Sequence, residues 1–158
     1  MTRAAVLVLA DGKVALIERR REGEVYYLFP GGTVEAGETP AEAAQREARE
    51  ELGLDVRIGR LVAEVSYEDK MQFYFEAAVC GGVFGTGKGI EMNGDQGVAR
   101  SYKPVWLPIA GLSVQAVYPR ALALLVEHSG AGWPKDVLRL ADPGRRAQRS
   151  RSAFAWSR

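Results

Sequence analysis

The segment TPAEAAQREAREELG, residues 39–53, predicts a helix with both ends marked, and it constrains the fold more than any other part of the chain. Thr39 suits the N-cap, Pro40 suits the first helical position, and Glu42 completes a Thr-x-x-Glu capping box. Gly53 stands where a left-handed residue commonly ends a helix. We therefore expect a helix over residues 40–52.

A narrow stripe of small apolar residues runs along this predicted helix. At about 100° per residue, the stripe consists of Ala41, Ala44, Ala48 and Leu52. Because alanine side chains are short, a helix with such a stripe can lie close to a sheet. We expect this face to form part of the core.

Short segments rich in β-branched and aromatic residues surround the helix and predict a sheet. Asp11-Gly12 suits a two-residue hairpin turn between the first two segments, and VYPRALALLVEHS predicts a second helix. The pattern predicts one α/β domain over residues 1–133, with a mixed sheet and helices on its faces. Residues 134–158 hold seven Lys or Arg against two Asp and are expected to be a basic tail, mobile or loosely docked.

Three glutamates of the predicted helix, Glu47, Glu50 and Glu51, fall within one arc of its surface. Like charges at this spacing repel each other, and they lie in the half of the helix where the dipole disfavours negative charge. A divalent cation such as Mg²⁺, Mn²⁺ or Ca²⁺ would offset both penalties. On the helix alone, a solvated charged face is an equally good interpretation.

The loop before the helix favours the metal interpretation. Gly31-Gly32 ends a strand, and its carbonyl groups can approach a metal because no side chain blocks them. From Gly32 the chain reads glycine, five residues, Glu38, seven residues, and then REAREELGL. This pattern resembles the signature of the Nudix hydrolases, including the MutT-like members, at every defined position. The resemblance covers roughly residues 2–130. Glu35 fits no position of the signature and is a solvated loop residue or a substrate contact.

The resemblance implies an α/β/α sandwich and a metal-dependent pyrophosphohydrolase that uses Mg²⁺ or Mn²⁺. It implies that Glu38 braces the loop against the helix. The implied metal ligands are a backbone carbonyl of the glycine turn and three carboxylates, namely Gly31, Glu47, Glu50 and Glu51. The implied catalytic residues are Glu47, Arg46 and Glu50, with Arg46 orienting the glutamates. The general base is either Glu47 or a carboxylate of a later loop, Glu91 or Asp95.

The resemblance also implies a nucleoside diphosphate derivative as substrate, and a nucleoside triphosphate, ordinary or oxidised, is the leading expectation. A nucleotide sugar or a dinucleoside polyphosphate is the runner-up. A non-catalytic nucleotide-binding module of the same fold is the rival, but such a module would be expected to lose the helix glutamates. Four residues are candidates for substrate binding, each with a structural alternative: Arg19 and Arg20 as surface ion pairs, Lys88 in an ordinary hairpin loop, and Phe29 in the core.

The composition bears on partners and location. The net charge of +1 argues neither for nor against a nucleic-acid partner, and a disordered terminus is a simpler interpretation of the tail than nucleic-acid binding. No stretch approaches the roughly 20 apolar residues of a membrane span, and the N-terminal segment does not resemble a signal peptide. We expect a cytoplasmic protein, no membrane partner and, from the resemblance alone, a homodimer.

Overall fold

The computed structural model describes residues 2–87 and 100–142, which form nine strands and two helices. The chain begins with three strands and a short fourth one, continues through the first helix and three long strands, and ends with a short strand, the second helix and a last strand. Their bounds are β1 Thr2–Ala10, β2 Lys13–Arg21, β3 Glu24–Leu28, β4 Gly31–Thr33, α1 Pro40–Leu52, β5 Leu54–Tyr67, β6 Lys70–Gly82, β7 Arg100–Pro108, β8 Val117–Tyr118, α2 Arg120–Glu127 and β9 Leu138–Asp142.

The strands form one mixed sheet in the order β8-β3-β2-β1-β6-β5-β9, with β4 added to β1 and β7 added to β2. The hairpins β1–β2 and β5–β6 are antiparallel, whereas β1 and β6 are parallel, from Thr2 beside Met71 to Val8 beside Ala77. The predicted turn at Asp11-Gly12 is present, with both residues at positive φ. The α/β class with a mixed sheet is therefore confirmed.

Strand β1 shows how the two helices cover opposite faces of the sheet. Its side chains alternate in direction, as in any strand. Ala4, Val6 and Val8 pack in the same buried cluster as the apolar face of α1, while Ala5 and Leu7 belong to the cluster that contains the buried face of α2. One strand thus supplies both cores, and the result is a layered α/β/α arrangement.

Helix α1 has the bounds that its capping signals predict. The Thr39 hydroxyl accepts the Glu42 N–H at 3.1 Å, and the Glu42 carboxylate accepts the Thr39 N–H at 3.3 Å. Gly53 ends the helix with a φ of 76°. The buried stripe differs by one position from the prediction, because Ala43 is fully buried and Ala41 only partly.

The sheet continues past residue 133, where the sequence predicted that the domain ends. Strand β9 pairs in parallel with β5, from Ala63 beside Leu138 to Tyr67 beside Asp142. The Asp142 carboxylate is buried and accepts the N–H of Ala121 at 3.2 Å, in the first turn of α2. Residues 138–142 of the predicted tail therefore belong to the sheet. Residues 143–158 lie outside the described part of the chain.

Within residues 2–87 and 100–142, neither helix is long and apolar enough to cross a membrane.

Candidate active site

Arg46, in the middle of α1, is the centre of a cluster of acidic side chains. Its Nε and Nη2 atoms donate to the two carboxylate oxygens of Glu38 at 2.9 and 3.0 Å. Its Nη1 atom donates to Glu47 at 2.9 Å and to Glu50 at 3.1 Å. Nη2 also donates to the carbonyl of Thr33 in β4, at 3.0 Å. One guanidinium therefore connects helix, loop and strand, and it offsets the charge of three carboxylates.

The loop before α1 is folded around the carboxylate of Glu38. This carboxylate accepts the Glu35 N–H at 3.0 Å in addition to the two contacts from Arg46. The hydrogen bonds from Arg46, followed by the backbone contact with Glu35, lower the pKa of Glu38 from its usual 4.5 to about 2. The Glu35 carboxylate is largely exposed and lies 3.8 Å from Arg46. Glu35 is thus at the edge of the cluster.

Glu47 is the more enclosed of the two glutamates that share the Nη1 atom of Arg46. Its side chain is 13% exposed, against 48% for Glu50. Burial raises the pKa of Glu47, and the hydrogen bond from Arg46 opposes that shift. Gly32 makes this position possible, because a Cβ atom on Gly32 would lie 2.2 Å from Oε1 of Glu47. The carboxylate therefore packs directly against the backbone of β4.

Glu51 and Arg3 both contact Gly31. The sequence predicted that Gly31-Gly32 ends a strand in a turn, but the two glycines begin strand β4 and pair with β1. The Gly31 N–H donates to Oε2 of Glu51 at 3.1 Å. The Gly31 carbonyl accepts from Nη2 of Arg3 at 3.3 Å. The sequence analysis did not single out Arg3, which comes from β1 and reaches Gly31 only because β1 pairs with β4. Nothing in the local sequence around Arg3 indicates this.

Two adjoining cavities lie at this end of the molecule. The acidic cavity, of about 630 Å³, is lined by the three helix glutamates together with Arg46, Gly31 and Gly32. The tyrosine cavity, of about 610 Å³, is lined by Tyr26, Tyr67 and Tyr118 and by several charged side chains. Four residues line both cavities: Arg3, Arg19, Leu28 and Phe29. A ligand of sufficient length can therefore occupy both cavities at once.

The structure gives different surroundings to Arg19 and Arg20, the two arginines predicted as substrate contacts. Arg19 lines both cavities, and its guanidinium carbon lies 4.2 Å from the ring centre of Tyr102 and 5.6 Å from that of Tyr26. Arg20, the next residue of β2, instead forms an ion pair with Glu18 at 3.1 Å. It lines neither of these two cavities. The geometry therefore favours Arg19 and does not support Arg20, since neighbouring residues of a strand face opposite ways.

Phe29 lines both cavities but is only 5% exposed. Its ring packs edge-to-face on Tyr74, with the ring centres 5.8 Å apart. Phe29 thus combines both of the roles weighed for it, as a core residue with one edge toward the cavities. The other predicted residues, Lys88, Glu91 and Asp95, lie outside the described residues.

A family model described as the NUDIX domain matches residues 1–125, which is most of the chain. The chain belongs to the Nudix family. The matched range includes every strand from β1 to β8 and all the residues of the acidic cavity. The family predicted from the spacing between Gly32 and Leu54 is therefore confirmed.

Named relatives of this Nudix chain include enzymes that act on nucleotides. An 8-oxo-dGDP phosphatase of Homo sapiens is 34% identical over 110 residues, which cover 68% of this chain and 32% of that protein. A CTP pyrophosphohydrolase of Escherichia coli is 39% identical over 61 residues, which cover 37% of this chain and 45% of that protein. The chain therefore spans less than half the length of the curated relatives that it matches here.

A solved Nudix hydrolase structure from Nitrosomonas europaea has the same fold. It superposes with a TM-score of 0.64 over 91% of this chain and 78% of that one, at 20% identity. At this low identity the likeness concerns the fold alone. It agrees with the α/β/α layers described above.

Nudix hydrolases generally need divalent metal ions, and the donors in the acidic cavity fit such an ion. Three carboxylates and the carbonyl groups of Gly31 and Gly32 are hard oxygen donors, which Mg²⁺ and Mn²⁺ prefer. Among the described residues, no three Asp, Glu, His or Cys side chains already converge as a metal cluster. Arg46 holds oxygens of Glu47 and Glu50, and Gly31 holds one of Glu51. The donor chemistry therefore fits a cation, and the carboxylates must reorient to bind it.

Proposed function

We propose that this Nudix chain hydrolyses a phosphoanhydride bond in a nucleoside diphosphate derivative, with Mg²⁺ or Mn²⁺ as cofactor. The observation that carries the proposal is the acidic cavity, which Glu47, Glu50 and Glu51 line together with Gly31 and Gly32. The single charge of Arg46 cannot neutralise Glu38, Glu47 and Glu50 together, and a cation would offset the remaining repulsion.

Each residue of the acidic cavity has a role in this proposal. Glu47, Glu50, Glu51 and the Gly31 carbonyl would hold the cation, which supplies positive charge to the diphosphate and acidifies the attacking water. Arg46 binds Glu47 and Glu50 through the same Nη1 atom, so it would hold both carboxylates beside the cation that they turn to bind. Among the described carboxylates, Glu47 is our candidate for the general base, because it is enclosed and a proton acceptor must lie within reach of the water.

The phosphates of the substrate would lie where the two cavities meet. Arg3 and Arg19 line both cavities, and guanidinium groups suit phosphate oxygens in charge and in geometry. Arg19 is also held between two tyrosine rings, which limits the conformational entropy that it loses on binding a phosphate. The remaining moiety of the substrate would then enter the tyrosine cavity.

A nucleoside triphosphate, ordinary or oxidised, is our leading substrate. The CTP enzyme among the relatives supports a triphosphate, and the 8-oxo-dGDP enzyme, named for an oxidised diphosphate, supports an oxidised base. The tyrosine cavity, at about 610 Å³, is within the range for a small-molecule site. Cytoplasmic location and a homodimer stay predictions, which cell fractionation and sedimentation can test.

The decisive experiment is a screen of nucleoside di- and triphosphates, nucleotide sugars and dinucleoside polyphosphates with Mg²⁺ or Mn²⁺. Products are identified by mass spectrometry. We expect metal-dependent release of phosphate or pyrophosphate, and loss of that release in Glu50→Gln and in Glu51→Gln. Glu42→Gln is the matched control, because Glu42 is on the same helix but on its exposed, capping face. Full activity of either site variant would contradict the metal-ligand assignment. Nucleotide binding without turnover would favour the non-catalytic module.

The identity of the general base needs its own comparison. Glu47→Gln is compared with Glu91→Gln and Asp95→Asn by their kcat at saturating metal. We expect Glu47→Gln to lose the most, by about a hundredfold or more. A larger loss in Glu91→Gln or Asp95→Asn would transfer the role to the later loop.

A further inference from the structure

Gln72 is a buried polar residue in the wall of the tyrosine cavity. It lies in the parallel ladder between β1 and β6, directly beside Arg3. Its relative exposure is 9%, and it lines the tyrosine cavity but not the acidic one. A carboxamide is costly to bury unless its hydrogen-bonding groups find partners. Either its amide oxygen or its amide nitrogen can face the cavity.

Tyr74 fixes the orientation of the Gln72 amide. The Tyr74 hydroxyl donates a hydrogen bond to Oε1 of Gln72. Tyr74 is 1% exposed, and the ring of Phe29 packs against it. Burial raises the pKa of the Tyr74 hydroxyl, so the group keeps its proton. A buried O–H must give that proton to an acceptor, and the amide oxygen of Gln72 is the acceptor beside it.

The amide nitrogen is then the polar group that Gln72 can present to a ligand. With Oε1 bonded to Tyr74, a ligand in the cavity meets the Nε2 hydrogens, which donate and cannot accept. Reversing the amide would place Nε2 against the Tyr74 hydroxyl and leave the proton of that hydroxyl without its acceptor. The orientation is therefore stabilised by a group that does not itself have to touch the ligand.

The surrounding walls suit a nucleobase. Tyr26, Tyr67 and Tyr118 line the cavity. Tyr26 and Tyr67 are almost fully buried, so the more exposed Tyr118 supplies most of the aromatic surface on which a flat ring can pack. Arg3 and Arg19, shared with the acidic cavity, would hold the phosphates at the junction. A nucleotide bound there extends its base away from the glutamates and into the cavity that contains Gln72.

We propose that Gln72 is a specificity-determining residue that donates a hydrogen bond to the carbonyl oxygen O6 of guanine or O4 of uracil, where adenine and cytosine carry an amino group. It would favour keto bases, such as guanine and uracil, over the amino bases adenine and cytosine. The inference rests on the proposed function, since it assumes that a nucleotide is the substrate. It adds the class of base and the residue that distinguishes it.

Gln72→Glu is the most direct test, because it keeps the shape of the side chain and an acceptor for Tyr74 while it reverses the polarity offered to the ligand. The readout is the ratio of kcat/KM for GTP over ATP and for UTP over CTP, with dissociation constants from calorimetry beside it. The added charge repels the phosphates of all four nucleotides alike, so it cancels in the ratio. We expect the wild type to prefer the keto bases by about tenfold and Gln72→Glu to lose that preference. Gln115→Glu, an exposed position, adds the same charge as a control and should leave the ratio unchanged.

Tyr74→Phe tests the orienting contact and covers the case in which Gln72→Glu does not fold. It removes the hydroxyl with little change of volume, so the amide can turn either way, and the keto preference should fall severalfold. An unchanged ratio in a folded Gln72→Glu or Tyr74→Phe protein would overturn the role of Gln72, as would a wild type without keto preference. Absence of binding and of turnover for all compounds of the earlier screen, the nucleotide sugars and dinucleoside polyphosphates included, would instead contradict the proposed function and with it this inference.

Discussion

Arg46 binds Glu38 through two separate contacts, Nε to Oε2 at 2.9 Å and Nη2 to Oε1 at 3.0 Å. The same guanidinium uses Nη1 for Glu47 and Glu50. The Nε and Nη2 atoms of the planar guanidinium therefore bind the loop residue Glu38, and its Nη1 atom binds the two glutamates of the helix. Such a division of donors requires the fixed fork of an arginine and is not available to a single ammonium group.

The first prediction concerns this fork. Arg46→Lys keeps the charge but can satisfy only part of the contacts with Glu38, Glu47 and Glu50, so metal-dependent hydrolysis should fall by about ten- to a hundredfold. Arg49→Lys is the matched control, because Arg49 is 76% exposed and forms one ion pair, with Asp55 at 3.2 Å. Its activity should stay within about a factor of two. Circular dichroism verifies that both variants fold, and equal activity of the two would contradict the orienting role of Arg46.

The second prediction concerns pH. The pKa of Glu38 is lowered from 4.5 to about 2 in the folded protein, so the folded state favours the ionised carboxylate. The stability that Glu38 contributes is therefore present above about pH 4.5 and is lost as the pH falls toward 2. Denaturant unfolding of wild type and Glu38→Gln should differ by a constant amount from pH 5 to 7, and the difference should shrink progressively between about pH 4.5 and pH 2. A difference as large at pH 2 as at pH 6 would be inconsistent with the lowered pKa.

The third prediction separates two neighbouring glycines. A Cβ on Gly31 would lie 2.4 Å from the backbone oxygen of Ala4, whereas a Cβ on Gly32 would lie 2.2 Å from the Glu47 carboxylate. Moving the Ala4 backbone away from a new Cβ atom costs more free energy than moving the Glu47 side chain. Gly31→Ala should therefore lower the free energy of unfolding by about 1–3 kcal/mol, and Gly32→Ala should mainly weaken binding of Mn²⁺.

Denaturant unfolding and Mn²⁺ titration measure these two effects. Gly130→Ala is the control, since nothing lies within 4 Å of a Cβ there, and it should change neither quantity. Tight Mn²⁺ binding by Gly32→Ala would show that the metal site does not depend on the position of Glu47.

The fourth prediction concerns the buried face of α1. Ala43 is fully buried, but Ala41 is only partly buried. Ala43→Leu should therefore lower the free energy of unfolding by about 1–3 kcal/mol through overpacking, and Ala41→Leu should change it by less than about 0.5 kcal/mol. Urea unfolding distinguishes them, and the opposite order would mean that the helix is rotated from the position described here.

The features that the sequence predicted well are those with local causes. The bounds of α1 follow from Thr39, Glu42 and Gly53, which act within one helical turn of each end. One member of the stripe was wrong, because periodicity placed Ala41 on the apolar face and Ala43 on the opposite side of the helix, whereas Ala43 is the residue that is fully buried. That choice depends on the strands beneath, and β1 is far from α1 in the sequence.

The features that the sequence missed depend on pairing between distant segments. Leu138–Asp142 is short, with two leucines as its only large apolar residues, and it becomes a strand because β5 is available beside it. Arg3 contacts the Gly31 carbonyl only because β1 pairs with β4. Arg19 and Arg20 carry the same local signal, and only the direction of β2 decides which one faces the cavities.

The parallel pairing of β1 with β6 has a consequence for how the protein is made. Thr2 is synthesised before Met71, its neighbour in the sheet, and Arg3 is synthesised before Gln72. Helix α1 can form soon after its own synthesis, whereas the pairing of β1 with β6 has to close a long loop. The nascent chain therefore carries its acidic helix before Arg3 has its partner strand, and recognition of a ligand through Arg3 depends on that pairing.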